Sequence, residues 1–365
     1  KVDAETMVIL KGAELKLSKN DGTYEKVFTT NGEVVTLSDE LTPGEYTLEE
    51  TVAPDGYAKA EPLVFTIEDT SETQSVVLKN YRVLGTITIN KTGETLNHIG
   101  LFEKITGFFV NLIDVATGKS PLNGVNFTLY ANKDITHPDG VSDNIYNKGD
   151  IVATGVTDAY GLLTFGNLPL GEYLLEETDA PNGYYAAKID PIVVDSETAV
   201  DVNVENNLTT FTVRIYKHDA TDSDICLEGA VYGLYADEDI LASDGSVIIA
   251  KGSLIDVCQT DSNGYAEMVS KAPIGKYIVK EIKAPSGYIL SDKEYSFSFD
   301  NTDIRTMAVN RVVSAENYPI TISIGKNDIT GAYVVGAKLQ LLDEDGNVYH
   351  EWTTGTDEEQ LKAVP

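Results

Sequence analysis

The chain is 365 residues long, and its 58 Asp+Glu against 27 Lys+Arg leave a formal net charge of -31. A surface this acidic repels phosphate backbones and anionic lipid, which argues against nucleic-acid binding and against attachment to anionic membranes. No stretch of roughly 18 or more apolar residues is present, the most apolar one (Leu101 to Val115) being broken by Glu103, Lys104 and Asp114, so no membrane insertion is expected.

The length exceeds one ordinary domain, and a recurring decapeptide divides it: LEETVAPDGY at Leu48 to Tyr57, LEETDAPNGY at Leu175 to Tyr184, and VKEIKAPSGY at Val279 to Tyr288. Each copy follows a Gly-Glu-Tyr or Gly-Lys-Tyr turn, and a motif repeated in this way marks a repeated domain. The first repeat covers Lys1 to Tyr81, with strand-like alternation at Val34 to Leu37 and Leu63 to Ile67 and a last strand at Ser75 to Asn80. Lys1 is neither an initiator Met nor part of a signal peptide, so the chain reads as a piece of something longer whose first strand is truncated.

The second repeat, Arg82 to Asn207, carries strands at Thr86 to Ile89, Phe127 to Tyr130 and Val200 to Asn206. It also holds an inserted segment, Thr92 to Pro121, with Leu101, Phe102, Phe108, Phe109 and Val110. An added hairpin packing on its own sandwich is the leading reading of this insert, and a docking patch for a partner is the competing one. The third repeat, Leu208 to Asn317, has strands at Thr212 to Tyr216 and Met307 to Asn317. The fourth opens with Thr321 to Ile324 and is partial, reaching Pro365 before another decapeptide occurs. Short alternating runs separated by turns such as Asn20-Asp21-Gly22, Asn31-Gly32 and Ser262-Asn263-Gly264 predict an all-β chain of tandem Ig-like β-sandwich domains in an elongated array.

Within each decapeptide the acidic residue two places after the leading Leu or Val, namely Glu50, Glu177 and Glu281, shares that residue's inward face under the two-residue strand period. Burial disfavours the charged form of a carboxyl, so an inward-facing one is expected to be protonated and to donate a hydrogen bond. Each repeat also opens with a strand delivering a lysine, Lys1, Lys91, Lys217 and Lys326. Three close with a strand delivering an asparagine, Asn80, Asn206 and Asn317. Asn207, Lys11, Lys16 and Lys119 lie close to these positions and stay open as alternatives, and Lys326 is left without a matching Glu or Asn.

This order of lysine, glutamate and asparagine around an LxExxAPxGY box resembles the CnaB-type (SpaA, prealbumin-like) domains of Gram-positive surface proteins and pilins. The resemblance implies spontaneous isopeptide bonds, Lys1 to Asn80, Lys91 to Asn206 and Lys217 to Asn317, assisted by Glu50, Glu177 and Glu281. It implies no cofactor, an extracellular, cell-wall-anchored location, and partners that are other domains of the same surface protein and, through sortase, the cell wall. Desolvation lowers a lysine's pKa and favours the neutral nucleophile, which agrees with that chemistry. The departures are the partial fourth repeat and the absence of YPK-like pilin and LPxTG-like sorting motifs from this sequence.

Other chemistries find less support. His98, His137, His218 and His350 are scattered and read as surface residues, and no HExxH, GxSxG or P-loop pattern occurs. The turn Asp343-Glu344-Asp345-Gly346 lacks the ligand spacing of a calcium loop, so no metal site is expected. Cys226 and Cys258 are too few for a disulfide framework, and whether they pair or stay free is open. The function expected is therefore a structural stalk rather than an enzyme. The alternatives are an adhesin whose insert binds a host protein or glycan, and a sortase-polymerised pilin subunit.

Overall fold

The computed structural model describes residues 1–37, 40–181, 183–241, 247–270, 274–300 and 303–362, with all strand side chains except those of 96–102, 111–118, 241 and 248. Leu101, Phe102 and His98, singled out above, lie outside the described side chains. Among the described residues every regular element is a β-strand. The chain divides into two compact units, Lys1–Glu94 with Lys119–Asn207 and Thr95–Gly118 with Leu208–Pro365.

In the second unit the third repeat is a complete sandwich. A sheet of Leu254–Gln259, Val231–Ala236, Gly275–Lys283 and Glu294–Phe299, in that order, faces a sheet of Tyr265–Ser270, Thr210–Asp219 and Ala308–Asn317. Alternate residues of both sheets, among them Phe211, Val213, Ile215, Tyr232, Leu234 and Tyr277, turn inward and form one apolar cluster. This is the arrangement that period-two alternation demands when one face of each sheet is buried.

In the first unit the second repeat repeats the plan. Ile151–Val156, Asn126–Ala131, Gly171–Asp179 and Ile192–Val194 form one layer, and Leu162–Pro169, Leu84–Ile105, Val200–Leu208 and Tyr184–Tyr185 form the other. The tyrosines that precede the first two decapeptides anchor their strands. Tyr46 and Tyr173 are buried, and their hydroxyls donate to the carbonyls of Thr42 and Pro169 at 2.8 and 2.5 Å.

The first repeat departs from the expectation. Its four-stranded sheet, Glu25–Asn31, Lys11–Lys19, Gly44–Val52 and Leu63–Ile67, is regular, but the facing layer is only Val2–Asp3 beside Lys79–Asn80. Val34 to Leu37 is not a strand, and of Ser75 to Asn80 only the last two residues are. Alternation alone does not make a strand without a neighbour to bond. In the second and third repeats the equivalent runs pair with residues leading up to Lys91 and Lys217. The thin layer leaves an open trough of about 550 Å³ lined by Leu15, Leu17, Phe28, Leu48 and Phe65 among others.

The insert also differs from its expected placement. Leu84–Ile105 and Phe108–Pro121 pair as a hairpin, but its outer part, Thr95–Gly118, belongs to the second unit rather than to its own sandwich. There Lys104 donates to the buried Asp256 of the third repeat, and Val110 is buried. An acidic group enclosed in that repeat takes the cation that the insert supplies. Cys226, exposed, and Cys258, buried, are both free thiols, and burial, helped by the Asp256 carboxylate, pushes Cys258 up to about 12. Over residues 318–362, Thr321–Ile324 pairs with Glu359–Lys362, and Lys338–Leu342 with Val348–Thr353.

Two turn glycines allow the lysine strands to be covered closely. Gly161 and Gly264 have φ of +73° and +67°, and a Cβ on either would lie 2.2 Å from the carbonyl oxygen of Lys91 or Lys217. Gly264→Ala is expected to destabilise the third repeat by about 1–3 kcal/mol or more, because backbone strain and a backbone clash add. Gly252, at φ +82° with open space around it, supplies the control. In thermal melts Gly264→Ala should fall below Gly252→Ala, and equal melting temperatures would show that the close approach is dispensable.

Candidate functional site

The first and last strands of each complete repeat lie side by side and parallel, and the register is the same three times: Asp3 faces Asn80, Gly93 faces Asn206 and Asp219 faces Asn317. Each lysine sits two residues before the first member of its pair and so projects from the same face as the asparagine. That face is the interior. From the opposite sheet comes the glutamate of the decapeptide, set across the strand from a large side chain, Leu15 for Glu50, Phe127 for Glu177 and Tyr232 for Glu281.

The three groups meet in every complete repeat. Lys1 Nζ is 3.1 Å from Glu50 Oε1, and Asn80 Nδ2 donates to Glu50 Oε2 at 2.8 Å. Lys91 Nζ is 3.7 Å from Glu177 Oε2, and Asn206 Nδ2 donates to Glu177 Oε1 at 2.5 Å. Lys217 Nζ is 3.3 Å from Glu281 Oε1, and Asn317 Nδ2 donates to Glu281 Oε2 at 2.8 Å. The side chains of all three Lys–Glu pairs are enclosed, none more than 1% exposed. One carboxyl therefore touches an amine on one side and a carboxamide on the other.

Enclosure sets the electrostatics. Desolvation holds Lys1 and Lys217 below the ordinary lysine range and brings Lys91 down to about 8, the facing glutamate opposing the shift in each case. Desolvation likewise raises the Glu177 carboxyl, against the hydrogen bond from Asn206 and the charge of Lys91. In the second repeat both members of the pair are thus driven toward their neutral forms, the state in which an amine is nucleophilic and a carboxyl can donate a proton. The ammonium–carboxylate contacts are poorly aligned for hydrogen bonding. Lys1 Nζ, Lys217 Nζ, Asn80 Oδ1 and Asn317 Oδ1 lie buried with no hydrogen-bond partner.

The nearby alternatives lie elsewhere. Lys11 is exposed, Lys16 pairs with Glu25 on the surface, Lys119 pairs with Glu205 and is half exposed, and Asn207 is half-buried on the opposite face from Asn206. Lys326 is exposed. His137, expected at the surface, is 7% exposed, its Nδ1 3.1 Å from an Asp139 oxygen. The loop that carries it is packed within the first unit, where Thr6 donates to Asp139. Among the described residues no cluster of His, Cys, Asp and Glu could hold a metal ion.

Backbone groups just after each decapeptide also reach the site, and the sequence reading did not find them. Ala60 N–H donates to Glu50 at 2.6 Å and Ser291 N–H to Glu281 at 2.8 Å. Asn80 and Asn317 each give their Nδ2 a second acceptor, the carbonyls of Ala58 and Ile289, while Asn206 Oδ1 accepts from Ala187 N–H. The available signal was the constant spacing of these residues from the closing tyrosine of the box.

A family profile described as SpaA, prealbumin-like fold domain, matches residues 1–82, 109–208 and 211–312. A curated relative, the trypsin-resistant surface T6 protein of Streptococcus pyogenes serotype M6, is 33% identical over 89 residues, covering 24% of this chain and 14% of that protein. The chain thus matches only a small part of that relative's length. Among solved structures, the Bacillus anthracis TIE protein aligns with a TM-score of 0.52 at 18% identity over 97% of this chain and 62% of the other. The shaft pilin SpaA of Lactobacillus rhamnosus GG aligns with a TM-score of 0.26 at 21% identity, over 65% of this chain and 98% of the other. With three consecutive profile matches spread over most of its length, and with tandem all-β sandwiches as its architecture, the chain belongs to the SpaA prealbumin-like fold domain family.

Proposed function

We propose that this chain is a load-bearing stalk segment of a Gram-positive surface protein, and that each complete repeat locks itself with an isopeptide bond: Lys1 to Asn80, Lys91 to Asn206 and Lys217 to Asn317. The observation that carries the reading is the threefold recurrence of one buried carboxyl touching both a lysine amine and an asparagine carboxamide. The 33% identity over 89 residues to a streptococcal surface protein supports the surface-protein part of the reading. The repeats are taken as 1–81, 82–207, 208–317 and a partial 318–365. The location is extracellular and anchored to the cell wall, with other domains of the same protein as neighbours.

In the bond-forming step the lysine Nζ attacks the asparagine Cγ. A C–N bond forms, the Cγ–Nδ2 bond breaks, and Nδ2 leaves as ammonia with the proton given up by the amine, relayed through the glutamate. Neighbouring strands supply proximity worth up to roughly 7–11 kcal/mol of the barrier. Closing a loop of about 100 residues adds about 4–5 kcal/mol by the chain-entropy estimate. No external substrate or cofactor enters, and each site acts once.

Intact mass should fall short of the sequence mass by one ammonia per bond, three in all. Glu50→Ala, Glu177→Ala or Glu281→Ala should each restore one ammonia and lower heat and trypsin resistance in its own repeat. A full unmodified mass for the folded chain would sink the proposal. The reaction should also depend on acidity. With Lys91 near 8 the reactive neutral amine is lost as pH falls below that value. Cross-linking of the second repeat during refolding should therefore slow by about fiftyfold between pH 8 and pH 6. A pH-independent rate over that range would contradict a neutral-lysine mechanism.

A further inference from the structure

The tyrosine that ends each decapeptide has no part in the chemistry above, yet two of the three are wired to the lysine strand in the same way. Tyr57 Oη donates to Asp3 Oδ2 at 2.7 Å, and Tyr288 Oη donates to Asp219 Oδ2 at 2.9 Å. Both aspartates stand two residues after a site lysine, directly across from the site asparagine, and are at most 2% exposed. The second oxygen of each closes a turn, Asp3 accepting from the N–H groups of Glu5 and Thr6, and Asp219 from those of Thr221 and Asp222. Each carboxylate is therefore fully engaged and its position fixed by the strand end.

What the tyrosine holds in place is the segment that grips the reacting groups. One residue after it, the carbonyl of Ala58 or Ile289 accepts from the asparagine Nδ2, at 2.6 and 2.5 Å. Three residues after it, the N–H of Ala60 or Ser291 donates to the glutamate. The nitrogen accepted by that carbonyl is the one that must leave as ammonia, so the carbonyl sets the rotation of the carboxamide and the face that Cγ offers to the amine. Burial of the tyrosine, with the adjacent carboxylate adding, pushes the Tyr288 hydroxyl up to about 12, so it remains a donor at neutral pH. Burial pushes the Asp219 carboxyl up, but hydrogen bonds from Thr221, Tyr288 and Asp222 outweigh this and hold it below the usual range, which makes the contact charge-assisted.

The second repeat is built otherwise. Gly93 occupies the aspartate position, and a Cβ there would lie 2.6 Å from Leu122 and 2.8 Å from the Tyr184 ring. Tyr184 Oη donates instead to the Glu94 carbonyl, and the carboxamide of Asn206 is held by its oxygen, from Ala187 N–H at 3.2 Å. The two ways of holding the amide go with the two ways of tethering the tyrosine.

We propose that Asp3–Tyr57 and Asp219–Tyr288 are positioning clamps that set the rate at which the first and third repeats cross-link, by fixing the backbone that orients the asparagine carboxamide. The inference rests on the isopeptide reading. It is tested by refolding the full chain from denaturant, quenching at intervals, and quantifying the Lys217–Asn317 cross-linked peptide by mass spectrometry in wild type, Tyr288→Phe, Asp219→Asn and the double variant. Each single variant should form the bond to completion about ten- to a hundredfold more slowly, the size expected for a small misplacement of reacting atoms. The double variant should be no slower than the slower single one, because one contact is removed in all three. Rates in the first and second repeats should not change.

Ile255→Val, a core change in the same repeat away from the clamp, controls for lost stability. If the clamp variants slow the bond no more than Ile255→Val does at matched melting temperature, the clamp is overturned while the cross-link stands. If wild type itself forms no cross-linked peptide, the isopeptide reading fails and the clamp with it, and the wild-type arm separates the two outcomes.

Discussion

A lysine amine kept out of water beside a single carboxyl is the constraint around which each complete repeat is arranged. Removing an ammonium and a carboxylate from solvent costs several kcal/mol per ion, which only well-aligned partners recover. Here the partners are few and the alignment is poor, with the amines of Lys1 and Lys217 lacking any hydrogen bond. Such a site is expensive as an ion pair and much less so as two neutral groups, which is the direction in which Lys91 and Glu177 are displaced. Phe127, an ordinary core residue, faces Glu177 across the strands, as Leu15 and Tyr232 face Glu50 and Glu281, so the packing that makes each sandwich also encloses its carboxyl.

The second requirement is the parallel register of first and last strands. Parallel neighbours need a long crossover connection, and in these repeats almost the whole domain is that connection. Pairing Gly93 with Asn206, or Asp219 with Asn317, joins the two ends of the repeat and sets amine and carboxamide on neighbouring strands.

Much of this was legible in the sequence because each feature is local and recurs. The box, its inward glutamate and the flanking lysine and asparagine follow from the strand period and from repetition. Features that depend on a distant neighbour were not legible. Val34 to Leu37 alternates as well as the strand Leu162–Pro169 does, yet without a strand beside it the run stays irregular. The insert reads correctly as a hairpin, but the partner of Lys104 is Asp256, 152 residues away, and nothing in the local pattern names it. His137 looks like a loop residue and is buried only because the loop is packed within its unit. The Lys-x-Asp pattern at Lys1, Lys217 and Lys326 was visible in the sequence but acquires meaning only when the box tyrosine is seen to reach the aspartate.

The shared register has a mechanical corollary. If the proposed amides join Lys91 to Asn206 and Lys217 to Asn317, a pull along the chain would cross from each lysine straight to its asparagine, and the residues between them would carry none of it. The backbone then left to lengthen between the second and third repeats would be the run from Asn206 to Lys217, on the order of 40 Å when drawn fully straight. Such a tether would have a nearly fixed contour length, spending applied work on bond stretching instead of on unravelling.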